Sequence, residues 1–259
     1  MGFINKKKIL ILMVFFSAFN VFALRFQSKT FIFGRNLNVD NFSVLFNYKE
    51  ELKQSFYNSS FIFYKIDSNL SDIFESDFLL TLFDTDYMLY DNSFTKNKML
   101  ITNYSNKFGI IDNVLTYYKY KINSQNNIYF LYLSDKVEKA NRNYTYNENI
   151  DALRLFFNNN SEVKNPENLT ILIADISYFD FRNIVEKIDF IDYIVNFQDF
   201  ETGIINSKKI YNIPENSLEV LRCDFLFGRT GFLSGSFSEI NLENSPQSQF
   251  INRIIAVNK

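Results

Sequence analysis

The acids Asp175, Asp180, Asp189, Asp192 and Asp199 fall in one short stretch, and carboxylates at that density could hold one hard cation. The commoner use of such acids is to cap helices or face solvent. Histidine-dependent catalysis is excluded by residue type. The chain has no histidine and one cysteine, so neither a Ser-His-Asp nor a Cys-His triad can be assembled. No imidazole is present to move a proton near neutral pH. The sequence also lacks a phosphate-cradling glycine loop and a zinc-spaced cysteine cluster. Cys223 falls inside an expected strand, where it serves as a small buried apolar residue and has no partner for an internal disulfide. Tyr117, Tyr118 and Tyr120 could stack on a sugar or a base, although tyrosines so placed more often cover a half-exposed sheet.

The acids are positioned by a βαβ unit over residues 169–200. Residues 169–174 are apolar, rich in β-branched side chains and bounded by Asn165, Pro166 and Asn168, so they read as a buried strand. Phe181, Ile184, Val185 and Ile188 recur at i, i+3, i+4 and i+7, which is one apolar helix face. Residues 193–197 form a second buried strand, parallel to the first through a right-handed crossover. Ligands in open α/β sheets sit past the carboxyl ends of strands. Here those ends carry Ser177 and Tyr178, and residues 198–200.

Around this unit, a strand is expected at 30–33, followed by a polar turn over 34–38 with an Asn cap. A helix over 42–56, a strand at 61–66 and a helical pattern over 70–82 come next. Residues 114–122 and 127–133 suggest a β-hairpin, and Ile150, Leu153, Phe156 and Phe157 share a helix face. A loop or hairpin around Pro214 leads to two strands over 220–233. They join through Gly228 and Gly231, both expected to take backbone angles that other residues resist.

Ile176-Ser177-Tyr178 resembles the L-S-H turn of the calcineurin-like metallophosphoesterases, in the branch that contains the 5'-nucleotidases. The run 191–200, IDYIVNFQDF, resembles their I-D-x-I-I-x-G-H-x-H. Tyr178 stands at the first histidine position, with Gln198 and Phe200 at the other two. Laid on the family's D-x-H-G, Asn36 and Asn38 occupy the two ligand positions. Asp67 is the acid nearest its G-D. The run from Asp86 to Phe94 resembles D-x-x-x-x-G-N-H-E, with Asn92 matching the metal-bridging asparagine and Ser93 replacing the histidine. Residues 99–103 resemble the p-l-l-s-a-N segment that follows, and 220–233 the closing glycine-containing strands.

The resemblance implies an α/β fold of two mixed β-sheets packed face to face with flanking helices, a metallophosphoesterase-like four-layer sandwich. An unrelated α/β envelope protein would show a different strand order. On this resemblance the segment covers the phosphoesterase domain, and the separate C-terminal nucleotide-binding domain of longer 5'-nucleotidases is expected to be missing. The implied site is the set Asn36, Asn38, Asp67, Asn92, Ser93, Tyr178, Gln198 and Phe200, without its histidines. The leading expectation is therefore a pseudoenzyme that needs no cofactor and binds a small ligand or an envelope protein. The alternative is a phosphoesterase or 5'-nucleotidase using Asp and Asn ligands with one Mg²⁺ or Mn²⁺.

At 259 residues, 47% hydrophobic and 22% charged, the chain is long enough for one sizeable core. Lys6, Lys7 and Lys8 precede an apolar run over 9–16, and Val21 and Ala23 stand at the small-residue positions before a cut. This reads as a secretory signal peptide over 1–23, leaving a single domain over 24–259 in the periplasm or outside the cell. The apolar run is too short to span a bilayer. Cleavage removes three lysines and no acid, moving the net charge from −2 to −5. That charge, with no Lys/Arg cluster, argues against nucleic-acid binding.

Overall fold

Alternation decides the first strand: Phe31 and Phe33 face one apolar cluster and Ile32 the opposite one, the period of two that a pleated strand imposes. The computed structural model describes residues 26–55, 57–74, 76–84, 88–89, 99–106, 114–135, 144–146, 148–228 and 230–258. The chain begins with β1 (Gln27–Leu37), α1 (Val39–Gln54), β2 (Ser59–Ile66), α2 (Ser68–Ser71) and α3 (Ser76–Leu82). Four short strands follow: β3 (Met88–Leu89), β4 (Met99–Leu100), β5 (Tyr104–Asn106) and β6 (Val114–Leu115). Next come β7 (Tyr118–Lys121), β8 (Asn127–Ser134), β9 (Tyr144–Tyr146), α4 (Asn149–Asn159), β10 (Leu169–Asp175), α5 (Tyr178–Lys187) and β11 (Tyr193–Asn196). The last elements are β12 (Gly203–Ile205), β13 (Lys208–Asn212), β14 (Glu219–Gly228), β15 (Gly231–Asn241) and α6 (Gln249–Asn258).

Two mixed sheets face each other. One has the order β15-β14-β1-β2, the other β12-β13-β11-β10-β8-β7. In the first, β1 and β2 are parallel while β14 and β15 run antiparallel. In the second, β8, β10, β11 and β13 are parallel and both edges are antiparallel. Between the sheets lie Phe31, Phe33, Phe130, Ile171, Tyr193, Cys223 and Phe225. Burying each large side chain contributes on the order of 2–3 kcal/mol. Outside the first sheet, Phe42, Leu45 and Leu52 of α1 and Ile251 and Ile255 of α6 complete a second cluster. Outside the other, Leu153 and Phe156 of α4 and Phe181, Ile184 and Val185 of α5 complete a third. The result is the four-layer sandwich with the expected two mixed sheets.

The βαβ unit stands as expected, with Ile171 paired to Tyr193 and Ala174 to Asn196 in parallel. Other boundaries move. The first strand continues through residues 34–36 to Leu37, because Gly34 sits where a Cβ would meet the Phe63 ring at 2.9 Å and lets the backbones approach. The helical pattern over 70–82 is two short helices, α2 and α3. Val114 and Leu115 leave the expected hairpin and pair with β4 instead, while β7 and β8 form the hairpin. Gly231 adopts φ +133°, whereas Gly228 does not take positive φ. Gly228 is instead crowded by Leu233, whose Cδ1 would lie 3.1 Å from an added Cβ. Helix α6 was not expected; its apolar positions Phe250, Ile251, Ile254 and Ile255 follow Ser248, whose Oγ accepts from the Ile251 N–H at 3.4 Å.

Candidate functional site

The carboxyl ends of β1, β2, β10 and β11 meet at one mouth of the sandwich, and the last inward-facing residues there are polar. Asp175 ends the apolar run of β10 and is 1% exposed. Its Oδ2 accepts from the Tyr64 hydroxyl of β2 at 2.9 Å, and its Oδ1 from Gln198 Nε2 at 2.7 Å. One buried carboxylate thus ties the two sheets together through charge-assisted hydrogen bonds. Tyr64 also packs on Phe197, with ring centroids 4.6 Å apart.

Arg35 projects into the same mouth. Its Nη2 donates to the Phe197 carbonyl at 2.7 Å, with longer contacts of 3.4 Å to the carbonyls of Ile213 and Pro214. Beyond it lies a cavity of about 370 Å³, with Arg35, Asp199, Thr202, Asn212, Glu215 and Glu239 in its walls. Asn212 Nδ2 donates to Asp199 Oδ1 at 3.1 Å and to the Phe200 carbonyl at 2.8 Å. Next to Asn212, Asn196 is fully buried. Its Nδ2 donates to the Gln198 carbonyl at 2.6 Å, while its Oδ1 has no donor among the described residues.

A second cavity, of about 460 Å³, opens on the outer side of the same strand ends and is lined by Asn38, Asp40, Asp67, Asn69 and Asp72. Asn38 is the N-cap of α1. Its Oδ1 accepts from the backbone N–H of Asp40 at 3.1 Å and of Asn41 at 3.0 Å, and Asn41 returns a bond to the Asn38 N–H. Asp67 follows β2 and accepts from the Asn69 N–H at 3.2 Å, the turn role of an aspartate.

The expected site residues thus fall into separate groups. Asn38 and Asp67 share the outer cavity. Asn36 lies within β1, paired with Lys65, and its carbonyl accepts from Asn41 Nδ2 at 2.7 Å. Gln198 is bound to Asp175. Tyr178, 48% exposed, opens α5, and Phe200 packs edge-on against it at 5.4 Å and against Phe181 at 4.9 Å. Asn92 and Ser93 lie outside the described residues.

The five clustered acids have dispersed roles. Asp180 joins Ser177 in capping α5, with the Asp180 N–H donating to Ser177 Oγ at 3.2 Å. Asp192 accepts from the Thr170 N–H at 2.7 Å, Asp199 holds Asn212, and Asp189 is exposed. Among the described residues no three Asp, Glu or Cys side chains converge on a point that could hold a metal ion. Asn103, the asparagine of the run 99–103, is fully buried. It donates to the Ser134 carbonyl at 3.0 Å and to Asn149 Oδ1 at 2.8 Å, which fixes the start of α4. The tyrosine group covers sheet surface: Tyr117 packs on Phe156 at 5.1 Å, and the Lys29 ammonium lies over the Tyr120 ring at 4.6 Å. Sequence reasoning missed Arg35 and Tyr64. The parity of Phe31 and Phe33 was the available signal for Arg35, since the next odd position faces the same way.

No family model and no curated protein matches the sequence. Solved structures do. The NAD nucleotidase of Haemophilus influenzae superposes with a TM-score of 0.61 at 12% identity, over 90% of this chain and 56% of its own. The 5'-nucleotidase of Candida albicans gives 0.57 at 12% identity, over 88% and 56%. The calcineurin-like phosphoesterase YfkN of Bacillus subtilis gives 0.59 at 8% identity, over 90% and 96%. The fold is therefore that of the calcineurin-like phosphoesterases and 5'-nucleotidases. The chain spans little more than half the length of the two nucleotidases.

Proposed function

We propose that this chain is a secreted or periplasmic protein that binds a small ligand or an envelope protein on a phosphoesterase-like scaffold without catalysing hydrolysis. The observation that carries this reading is the Tyr64–Asp175–Gln198 lock. The buried carboxylate at the mouth already receives two donors, and one of them is a side chain at a position where the resemblance implies a metal ligand.

The donor set supports the same reading. A two-metal hydrolytic centre needs carboxylates and imidazoles aimed at shared points, where the ions acidify a water and stabilise attacking and leaving oxygens. Asn38 spends its carbonyl oxygen on a helix N-terminus, and Phe200 has no donor atom. The Tyr178 hydroxyl points to Glu201, at 3.4 Å from Oε1. Of the matched positions described, Asp67 alone carries a carboxylate. These residues do not fit such a centre, and no hydrolytic step is assigned to them. For the address, the basic, apolar and small-residue sequence over 1–23 is the support. It lies outside the described residues, and no helix among those described is long and apolar enough to cross a membrane.

The test is elemental analysis and calorimetry of the purified protein with Mn²⁺, Mg²⁺ and Zn²⁺, alongside assays on nucleotides and chromogenic phosphoesters. The expected result is no stoichiometric metal and no turnover. Metal-dependent hydrolysis that disappears in Asn92→Ala overturns the reading. Sequencing the N-terminus of exported protein tests the address; Leu24 is the expected first residue.

A further inference from the structure

The cavity at the mouth of the sandwich holds unlike charges apart. Among the described residues Arg35 donates hydrogen bonds to main-chain carbonyls alone and its Cζ lies 5.9 Å from the centre of the Phe197 ring, and no carboxylate there forms an ion pair with it. Asp199, Glu215 and Glu239 nevertheless stand in the same walls. Glu215 and Glu239 form no ion pair among the described residues, and Asp199 is held by an amide. The elements that carry them keep them separate: Arg35 is on β1, Glu239 on the edge strand β15, Glu215 in the β13–β14 connection and Asp199 past the end of β11. The cavity volume of about 370 Å³ lies in the range of small-molecule sites, and its place past the ends of parallel strands is where such sheets receive ligands.

A simple anion drawn to Arg35 would face three carboxylates, and a simple cation drawn to the carboxylates would face a guanidinium. A molecule bearing both charges meets both. We propose that this cavity binds a small zwitterion, an ammonium group and an acid group on one molecule, with the acid group on Arg35 and the ammonium on Glu215 and Glu239. The acid group is a carboxylate or a phosphate, since Nη1, the guanidinium nitrogen that makes no bond to the main chain among the described residues, can donate a charge-assisted hydrogen bond to either. The inference rests on the binding role proposed above and gives that role a ligand class.

Calorimetry on the purified protein in EDTA tests it with two zwitterions, L-lysine and O-phosphoethanolamine, and three single-charge controls, acetate, inorganic phosphate and ethanolamine. At least one zwitterion should bind saturably and at least tenfold more tightly than each control, and which of the two does so separates carboxylate from phosphate. Arg35→Lys should weaken binding by about tenfold, because the Nη1 donor held in place by the main-chain carbonyls is lost while the charge stays. Since Arg35 also ties loops together, the pair Glu215→Gln and Glu239→Gln is the cleaner arm. Both side chains are exposed, so the melting temperature should hold while zwitterion affinity falls about tenfold. The inference is overturned if inorganic phosphate binds as tightly as O-phosphoethanolamine, or if neither zwitterion binds below about 10 mM. It is equally overturned if the double variant binds unchanged. Hydrolysis by Mn²⁺-loaded protein would overturn the non-catalytic reading alone, and loss of zwitterion binding in EDTA would overturn this one alone.

Discussion

The two cavities at the carboxyl end of β1 are built from residues three apart in sequence, and they differ in what their polar groups are already doing. Asn38, on the outer side, satisfies a helix N-terminus, and Asp67 satisfies a turn. The Oδ1 atom of each is committed to backbone N–H groups within three residues. Arg35, on the inner side, reaches across to carbonyls more than 160 residues away, and Asp175, at the same mouth though not in that cavity's walls, collects donors from β2 and from the segment after β11. The outer cavity is thus a by-product of local capping, while the inner one is walled by long-range contacts that fix where charges stand. Net charge alone would rank the outer cavity first as a site, since each is lined by three carboxylates and only the inner one adds a guanidinium. The commitments of its side chains rank it second.

The comparison breaks most directly at Asp175. Asp175→Ala removes the shared acceptor and leaves the Tyr64 hydroxyl and the Gln198 amide without that partner in a buried mouth. The expected cost is about 3 kcal/mol, read as a lowered midpoint in urea. Asp175→Asn retains one acceptor and should cost less than half as much. A neutral Asp175→Ala would show that the long-range contacts at the mouth are worth no more than the local caps on the outer side.

How much of this was legible in the sequence follows from the range of each interaction. The βαβ unit was readable because Phe181, Ile184, Val185 and Ile188 encode their helix face locally, and the Asn38 cap because capping acts within three residues. Asp175 read as one of five acids. Nothing within its own strand indicates that Tyr64, 111 residues earlier, supplies a hydroxyl. Arg35 was hidden by Gly34, which reads as a turn until the opposing Phe63 ring explains it. Cys223, expected as a buried strand residue, is one, because β14 alternates cleanly. The separation of α2 from α3 left no clear periodic signal, since the apolar positions continue across the break.

A second prediction sharpens the contrast between the inter-sheet face and the outer face. Burial pushes the Cys223 thiol and the Tyr193 and Tyr211 hydroxyls up, and all three belong to the inter-sheet cluster. A raised folded value means that the contribution is complete below the unfolded value and is lost as pH rises through it. Their share of the stability should therefore fall, from about pH 8.5 for the thiol and from about pH 10 for the two tyrosines, by up to about 1.4 kcal/mol per pH unit for each group that ionises only on unfolding. Lys208 acts in the opposite sense. Burial lowers its value, so between that value and about 10.5 the unfolded chain binds more protons and stability rises with pH. Below about pH 10 Lys208 opposes Cys223 alone; above it the two tyrosines join the thiol and the net slope turns downward. Urea midpoints between about pH 7 and about pH 11 check this. Tyr193→Phe and Cys223→Ala should each flatten the fall, and an unchanged slope in both would remove the inter-sheet face as its cause.

The smallest effect is expected on the outer side, and it distinguishes a cap from a ligand. Asn38→Ala should cost about 1 kcal/mol, the usual loss when an N-cap oxygen is removed, at any ionic strength. Asn38→Asp keeps the acceptor and gains from the positive helix end, but it places another carboxylate beside Asp40, Asp67 and Asp72. Its stability should therefore lie within about 0.5 kcal/mol of the parent and improve with added salt, because screening weakens the repulsion between carboxylates across the cavity more than the cap hydrogen bonds. Urea unfolding at low and high salt gives both numbers. An Asn38→Ala variant that kept full stability yet lost measurable Mn²⁺ binding would reverse the assignment, since only a side chain whose oxygen is spent on metal rather than on the α1 backbone could behave that way.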